Sequence, residues 1–206
     1  MRSEICLIRH GITEGNARKL YYGAVDIPLI DEGREQLATQ REEGIYPSYE
    51  NVKYYTSGML RTEQTLEIIF GDVPHTPVDN LKEINFGSFE MQHFDQLKEL
   101  DEYWTFVKDK TGKTPAPGGE SLSGFRKRIL KGFEELKAEH FTHVLSIRNQ
   151  EKMAASVAVI HGGPISAIMD SIWPDEFDNF YYWTPDPGRG YRVIFEDGSA
   201  VSYEAI

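Results

Sequence analysis

Two apolar runs, each followed by a histidine and then glycine, constrain the fold of this 206-residue chain. The first run, residues 5–8, leads into Arg9 and His10, and the second, residues 154–160, leads into His161. Continuous apolar runs of this length are typical of strands buried on both faces of a parallel sheet. Because ligands bind at the carboxyl ends of the strands in an open α/β sheet, we expect both histidines at one edge, in a candidate site.

Strand-like and helix-like segments alternate along the chain, which predicts an α/β fold. A helix is expected from Asp31, as its N-cap, to about Glu43, and another from Ser57 or Gly58 to Phe70. We expect a three-layer α/β/α sandwich with a mostly parallel central sheet. The other expected elements are a short helix at 13–16, strands at 52–56 and 76–78, helices at 94–108 and from 122, a helix with Pro164 in its first turn, and a hairpin of 191–195 with 200–203.

Two segments leave alternatives open. Residues 141–152 fit either a helix or a strand. Residues 84–118 are rich in aromatic side chains, and they fit either a helical cap over a cleft or a helix packed on the sheet with its aromatic side chains in the core. We expect one domain over residues 1–206, with residues 84–118 as a cap-like insertion.

Composition excludes several classes of partner. A formal net charge of −11 argues against nucleic acids and anionic membranes as partners. No run approaches the ~20 apolar residues of a membrane span, and Cys6, the single cysteine, fits a reducing compartment, so we expect a soluble cytoplasmic protein. His140 and His143 lack the companions of a metal site, so no metal is predicted. The sequence carries no signal of oligomeric state.

The segment around His10 resembles the signature of the histidine phosphatase superfamily, the phosphoglycerate mutase-like group. Further matches follow the family's order along most of the chain, which makes the resemblance specific. The matching segments are 7–16, 23–33, 57–65, 81–90, 117–121 and 161–163.

The resemblance implies a mechanism. His10 would attack phosphorus and form a phosphohistidine, and Glu83 would give a proton to the leaving alkoxide and later take one from water. Arg9, Arg61 and His161 are implied as the phosphate clamp, so neither a metal nor another cofactor is required. The neighbouring residues that the resemblance assigns to substrate binding are Asn16, Gly162, Thr13 and Gly23.

The segment after Glu83 resembles the phosphatase branch of the family, and the arginine-rich stretch of the mutases is missing. We therefore expect a phosphatase acting on a small phosphorylated metabolite. A phosphoglycerate mutase and a non-catalytic binder of phosphorylated ligands are the alternatives. The chain departs from the family pattern at substrate-contact positions, among them Gly15, where an aromatic residue is common.

Overall fold

The structure, a computed structural model, describes residues 1–148 and 153–206. The strands in these residues are β1 (Arg2–Arg9), β2 (Leu20–Tyr21), β3 (Asn51–Thr56), β4 (His75–Pro77), β5 (Gln92–His93), β6 (Ala154–Ile160), β7 (Gly190–Glu196) and β8 (Ser199–Ala205). The helices are α1 (Glu14–Ala17), α2 (Asp31–Glu42), α3 (Leu60–Phe70), α4 (Phe94–Leu97), α5 (Asp101–Lys108), α6 (Leu122–Ser146) and α7 (Gly162–Ile172). Short 3-10 turns lie at Asp79–Leu81, Gly87–Phe89 and Phe180–Trp183.

The central sheet has the strand order β4-β3-β6-β1-β7-β8. β1 pairs in parallel with β6, so Arg9 lies opposite Ile160 where both strands end. β3 and β4 continue the parallel part beyond β6, whereas β7 and β8 form the expected antiparallel hairpin beyond β1. The prediction of an α/β fold with a mostly parallel sheet is confirmed.

Alternation of side chains along β1 produces the three layers. Ile5 and Leu7 point to one face, where they pack with residues of α6 and α7. Cys6 and Ile8 point to the other face, where they pack with Leu37 of α2 and with residues of α3. Because both faces of the strand are covered by helices, its continuous apolar run is fully buried.

Two predicted helix starts are wrong, the first by one residue and the second by two or three. Ile30 occupies the N-cap of α2 without a side-chain hydrogen bond, and Asp31 is instead the first helical residue, where the helix dipole favours its carboxylate. The next helix begins at Leu60, with Met59 as its N-cap. Gly58 cannot open that helix because its φ of 75° lies in the left-handed region.

The single helix predicted for residues 94–108 is also wrong. Leu100 has an extended backbone, with φ −101° and ψ 126°, and it separates α4 from α5. The break lets Leu97 and Tyr103, one from each helix, enter the same small cluster with Phe89 and Ala116. Residues 84–118 therefore bury several of their aromatic rings among themselves, and their action as a cap stays a prediction.

The ambiguous segment 141–152 is helical at its start, since α6 continues to Ser146. Its last part, 149–152, lies outside the described residues. Within the described ranges, none of the helices combines the length and the apolar character that a membrane crossing requires.

Candidate active site

Strands β1 and β6 end side by side, and a histidine follows each of them. The backbone N–H of His10 donates to the carbonyl of Ile160 (3.0 Å), which extends the parallel ladder one residue beyond β1. His161 is the N-cap of α7. The centroids of the two imidazole rings are 5.1 Å apart. The structure thus brings both histidines together at the carboxyl edge of the sheet.

The hydrogen bond of the His10 ring fixes its tautomer. Nδ1 lies 2.7 Å from the carbonyl oxygen of Gly11, and because a carbonyl only accepts, Nδ1 carries the proton. Burial, aided by the charges of Arg61 and Arg9, holds the pKa of His10 well below its ordinary value. His10 is therefore a neutral imidazole whose Nε2 lone pair is free.

A directed chain of hydrogen bonds fixes His161 in the opposite tautomer. The Thr62 hydroxyl donates to the carbonyl of Met59 (2.7 Å), so the Ser57 hydroxyl donates to Thr62 (3.1 Å). His161 Nε2–H then donates to Ser57 Oγ (2.8 Å), which leaves Nδ1 to accept from Nε of Arg61 (3.2 Å). Ser57 belongs to a segment matched from the sequence, yet no role was predicted for it, because hydroxyl direction is set by the fold.

Arg61 is a fully buried cation held by backbone oxygens. Its Nη1 donates to the carbonyl of Val25 (3.0 Å) and its Nη2 to the carbonyl of Gly23 (2.8 Å). The ring of Tyr22 lies 5.1 Å from its central carbon. A guanidinium has five N–H donors, so one further N–H remains on each of Nη1 and Nη2 for a ligand.

Arg9 is held at one end only. Its Nη1 donates to the carbonyl of Pro185 (2.7 Å), while its buried Nε has no hydrogen-bond partner among residues 1–148 and 153–206. Leaving a buried donor unpaired costs about 1–3 kcal/mol. An unpaired donor of this kind calls for an explanation, and Arg9 lines a cavity.

Asn16 is oriented by hydrogen bonds that converge on its side-chain oxygen. The backbone N–H of Thr13 and the Tyr22 hydroxyl donate to Oδ1, at 3.1 and 2.9 Å, and the Thr13 hydroxyl donates to that of Tyr22 (2.7 Å). The amide NH2 of Asn16 is thereby left for the cavity. Thr13 is itself fully buried beneath Asn16. Gly15 makes room for the tyrosine, because a Cβ there would come within 2.4 Å of the Tyr22 ring.

Glu83 approaches the histidines from the loop after the Asp79–Leu81 turn. Its Oε2 accepts from the backbone N–H of Gly163 (3.0 Å) and its Oε1 from that of Ile84 (3.0 Å). The approach requires glycine at 163, since a Cβ there would lie 2.3 Å from Oε1. Burial raises the pKa of Glu83 above its usual range, which favours a carboxyl group able to hold a proton.

Glu90 organises the loop behind Arg61. Its carboxylate accepts hydrogen bonds from the backbone N–H groups of Gly23, Ala24, Val25 and Phe86, at 2.8–3.2 Å. It thereby fixes the carbonyls that hold Arg61. The sequence offered a signal, because Glu90 closes one of the matched segments, but its role depends on a contact between distant loops.

These groups surround a cavity of about 320 Å³. Neutral His10, two arginines and a protonatable carboxyl face it, an arrangement suited to a tetrahedral dianion. Among the described residues, no cluster of three or more His, Cys, Asp or Glu has the geometry of a metal site. The cavity is lined by Arg9, His10, Asn16, Lys19, Leu20, Tyr21, Tyr22, Arg61, Glu83 and Phe86.

Comparison with known proteins agrees with this geometry. The family model of the histidine phosphatase superfamily (branch 1) matches residues 5–203. The Escherichia coli K12 protein named adenosylcobalamin/alpha-ribazole phosphatase is 26% identical over 170 residues, which cover 79% of this chain and 81% of that protein. A probable phosphoglycerate mutase of Cronobacter sakazakii is 32% identical over 135 residues, 61% of this chain and 59% of the other.

A solved structure shares the fold. The crystal structure of a putative alpha-ribazole-5'-P phosphatase from Escherichia coli K-12 superposes with a TM-score of 0.73 at 23% identity. The superposition covers 97% of this chain and 93% of that one. The likeness therefore extends over both the sheet and the helices that flank it.

Proposed function

This chain belongs to the histidine phosphatase superfamily (branch 1), and on that premise we propose that it hydrolyses a small phosphate monoester through a phosphohistidine on His10. The observation that carries the proposal is the free Nε2 of a neutral His10 beside the fully buried Arg61 and the partly buried Arg9. A neutral nitrogen nucleophile and concentrated positive charge are what a phosphate dianion requires.

In the first step, Nε2 of His10 attacks phosphorus as the bond from phosphorus to the leaving oxygen breaks. The proton of Glu83 passes to that oxygen, so the leaving group departs as a neutral alcohol. The raised pKa of Glu83 favours the protonated acid that this step needs. Arg9 and Arg61 offset the charge on the three remaining phosphate oxygens.

In the second step, water attacks the phosphohistidine. Glu83, now a carboxylate, takes a proton from the water while the bond between phosphorus and Nε2 breaks. Inorganic phosphate leaves, and both His10 and Glu83 return to their starting protonation states. The same carboxyl group thus acts as acid and then as base.

The clamp is proposed to consist of donors that the fold leaves unused. These are Nε of Arg9, one N–H on each Nη of Arg61, and the amide of Asn16. The backbone N–H of Gly162 lies at the start of α7, where the helix dipole favours an anion. His161 accepts from Arg61 in this tautomer, so we propose that it holds Arg61 in place rather than donating to phosphate itself.

Relatives carry both phosphatase and mutase names, so the two activities need to be separated. We propose the phosphatase because the segment after Glu83 resembles that branch. Interconversion of 2- and 3-phosphoglycerate faster than phosphate release would contradict this assignment.

The test is to trap the intermediate. Protein is mixed with p-nitrophenyl phosphate that carries a label in its phosphoryl group, and the reaction is quenched in alkali. The protein should then carry label that is stable in base and lost in acid, as expected of a phosphohistidine. His10→Asn should carry none. Label that persists in the variant would show that another residue is the nucleophile.

A further inference from the structure

A second cavity, of about 200 Å³, adjoins the phosphate cavity. Four residues line both spaces: Arg9, Tyr22, Glu83 and Phe86. Glu83, the proposed proton donor, must lie against the leaving oxygen. A group attached to that oxygen can therefore continue into the second cavity, which we call the leaving-group cavity.

Aromatic rings from separate parts of the chain form the walls of the leaving-group cavity. Phe86 comes from the loop after Glu83, Phe125 from α6, and Phe180 and Tyr181 from the turn that follows α7. Phe125 is buried, and the rings of Phe180 and Tyr181 lie 4.1 Å apart, inclined by 35°. Rings arranged in this way present faces and edges to a planar guest.

Few charged side chains line the leaving-group cavity. The charged residues that line it, within the described part of the chain, are Arg9 and Glu83, both already assigned to the phosphate and its leaving oxygen. Arg126 lies against the face of Phe180, 4.9 Å from the ring centroid, and is paired with Asp170. A second phosphate or carboxylate on the leaving group would find no further cation here.

A third cavity, of about 460 Å³, also touches Glu83 but fits the leaving group less well. It shares no other lining residue with the phosphate cavity. Two of the carboxylates that line it are paired with cations, Asp79 with Lys82 and Glu120 with Arg128. Among the described residues, none of those that line it is aromatic, so it offers no ring contact to a leaving group.

We propose that the preferred substrates are monophosphates whose leaving group carries one planar aromatic or heteroaromatic ring and no second anionic group. Tyr181 is the residue that we assign to ring recognition. An apolar cavity of about 150 Å³ is enough to hold benzene, so the space available suits a single ring. This inference rests on the proposed phosphatase activity for the identity of the reacting end.

The test separates the effect of the aromatic ring on kcat/KM from the effect of the leaving-group chemistry. Benzyl phosphate and 2-hydroxyethyl phosphate both release a primary alcohol, so their comparison isolates the contribution of the ring. We expect kcat/KM to be about tenfold or more higher for benzyl phosphate, the effect of stacking and ring burial together. Benzylphosphonate, which cannot be hydrolysed, should bind about tenfold more tightly than methylphosphonate by calorimetry.

Two tyrosines on the same turn provide matched variants. Tyr181→Ala should reduce the preference for benzyl phosphate over 2-hydroxyethyl phosphate by about threefold to tenfold, since one ring of the wall is lost. Tyr182→Ala, at an exposed neighbour that does not line the cavity, should leave that preference unchanged. Both residues are largely exposed, so neither substitution should unfold the protein.

The possible failures are distinguishable. Turnover of both esters with equal kcat/KM, or equal effects of the two tyrosine variants, would overturn the aromatic subsite and leave the phosphatase intact. Tight benzylphosphonate binding without turnover of any ester would sustain the subsite and overturn the proposed activity. Equal binding of the two phosphonates would overturn the subsite whatever the turnover.

Discussion

Buried histidines lie at both ends of the central strands β1 and β6. The two ends differ in which hydrogen-bonding atoms have a partner. At the carboxyl end, within the part of the chain that the structure describes, His10 bonds only through Nδ1 and the buried Nε of Arg9 has no partner. Towards the amino end, His140 of α6 lies with one ring nitrogen 2.9 Å from the hydroxyl of Ser3 and the other 2.9 Å from that of Ser156.

Both regions lower the pKa of their histidines. Burial brings the pKa of His140 to about 4, and it also holds those of His10 and His161 well below the ordinary value. A depressed pKa therefore does not by itself mark a site in this molecule. The two histidines differ instead in hydrogen bonding: both ring nitrogens of His140 lie within hydrogen-bond distance of a hydroxyl, whereas His10, which lines a cavity, bonds only through Nδ1 within the described residues.

The largest expected effect tests this contrast directly. Replacing His10 with alanine should lower phosphate release from p-nitrophenyl phosphate by at least about a thousandfold, because the proposed covalent nucleophile is removed. Replacing His140 with leucine, which is similar in size, should leave kcat/KM within about twofold while lowering the melting temperature, since two buried hydroxyls lose their partner. Comparable rate losses in the two variants would break the distinction between the two ends.

The next largest effect concerns Glu83. Unlike the histidines at either end, it is held by two backbone N–H groups, those of Ile84 and Gly163. Glu83→Gln keeps the size of the side chain and one of its two acceptor oxygens but cannot supply the proton. We expect a loss of about 10²–10³ for alkyl phosphates and a much smaller one for p-nitrophenyl phosphate, whose leaving group needs no protonation. The test measures phosphate release by the variant and by the original protein, once with an alkyl phosphate and once with p-nitrophenyl phosphate. Equal losses would remove Glu83 from the acid role.

The positions of the strands and of the histidines that follow them could be predicted from the sequence, because local patterns of apolar residues determine where strands form. The apolar runs fix β1 and β6, and the histidine after each run must lie at the same edge once the strands are parallel neighbours. The hairpin at Asp197 and Gly198 likewise follows from turn chemistry.

The remainder depends on contacts between distant segments. Three features arise only after folding. They are the direction of the Ser57 hydroxyl, the hydrogen bonds of Glu90 to the loop behind Arg61, and the aromatic walls around Phe180. The break at Leu100 has the same origin, because burial in the Phe89 cluster overrides the helical spacing of residues 94–108. The pattern of His140 and His143 also could not show that each ring nitrogen of His140 lies within hydrogen-bond distance of a serine hydroxyl.

A smaller effect sharpens the account of His161. Ser57→Ala removes the acceptor of its Nε2–H and leaves a buried donor unpaired, which costs about 1–3 kcal/mol. The ring can then place its proton on Nδ1, facing the Nε–H of Arg61 and displacing that arginine. We expect kcat/KM to fall about tenfold, with weaker inhibition by inorganic phosphate.

Thr62→Ser is the matched control for this chain of hydrogen bonds, because it keeps the hydroxyl that orients Ser57. Its phosphate inhibition constant should stay within about twofold of the original. If Ser57→Ala left phosphate inhibition unchanged, Ser57 would not be a positioning residue for Arg61.

The smallest effect on activity, but a measurable one on stability, comes from the satisfied end. His140 in the unfolded chain binds a proton below about pH 6.5, whereas in the folded chain it does so only near pH 4. Protons therefore favour unfolding in this window, and stability is lost as the pH falls from 6.5 towards 4, by at most about 1.4 kcal/mol per pH unit. Because His10 and His161 are present in both proteins, subtracting the urea-unfolding free energies of His140→Leu from those of the original chain isolates this contribution. A difference that does not vary between pH 7 and pH 4 would mean that folding leaves the pKa of His140 unchanged, and the two ends would then differ in the pKa of their histidines as well as in hydrogen bonding.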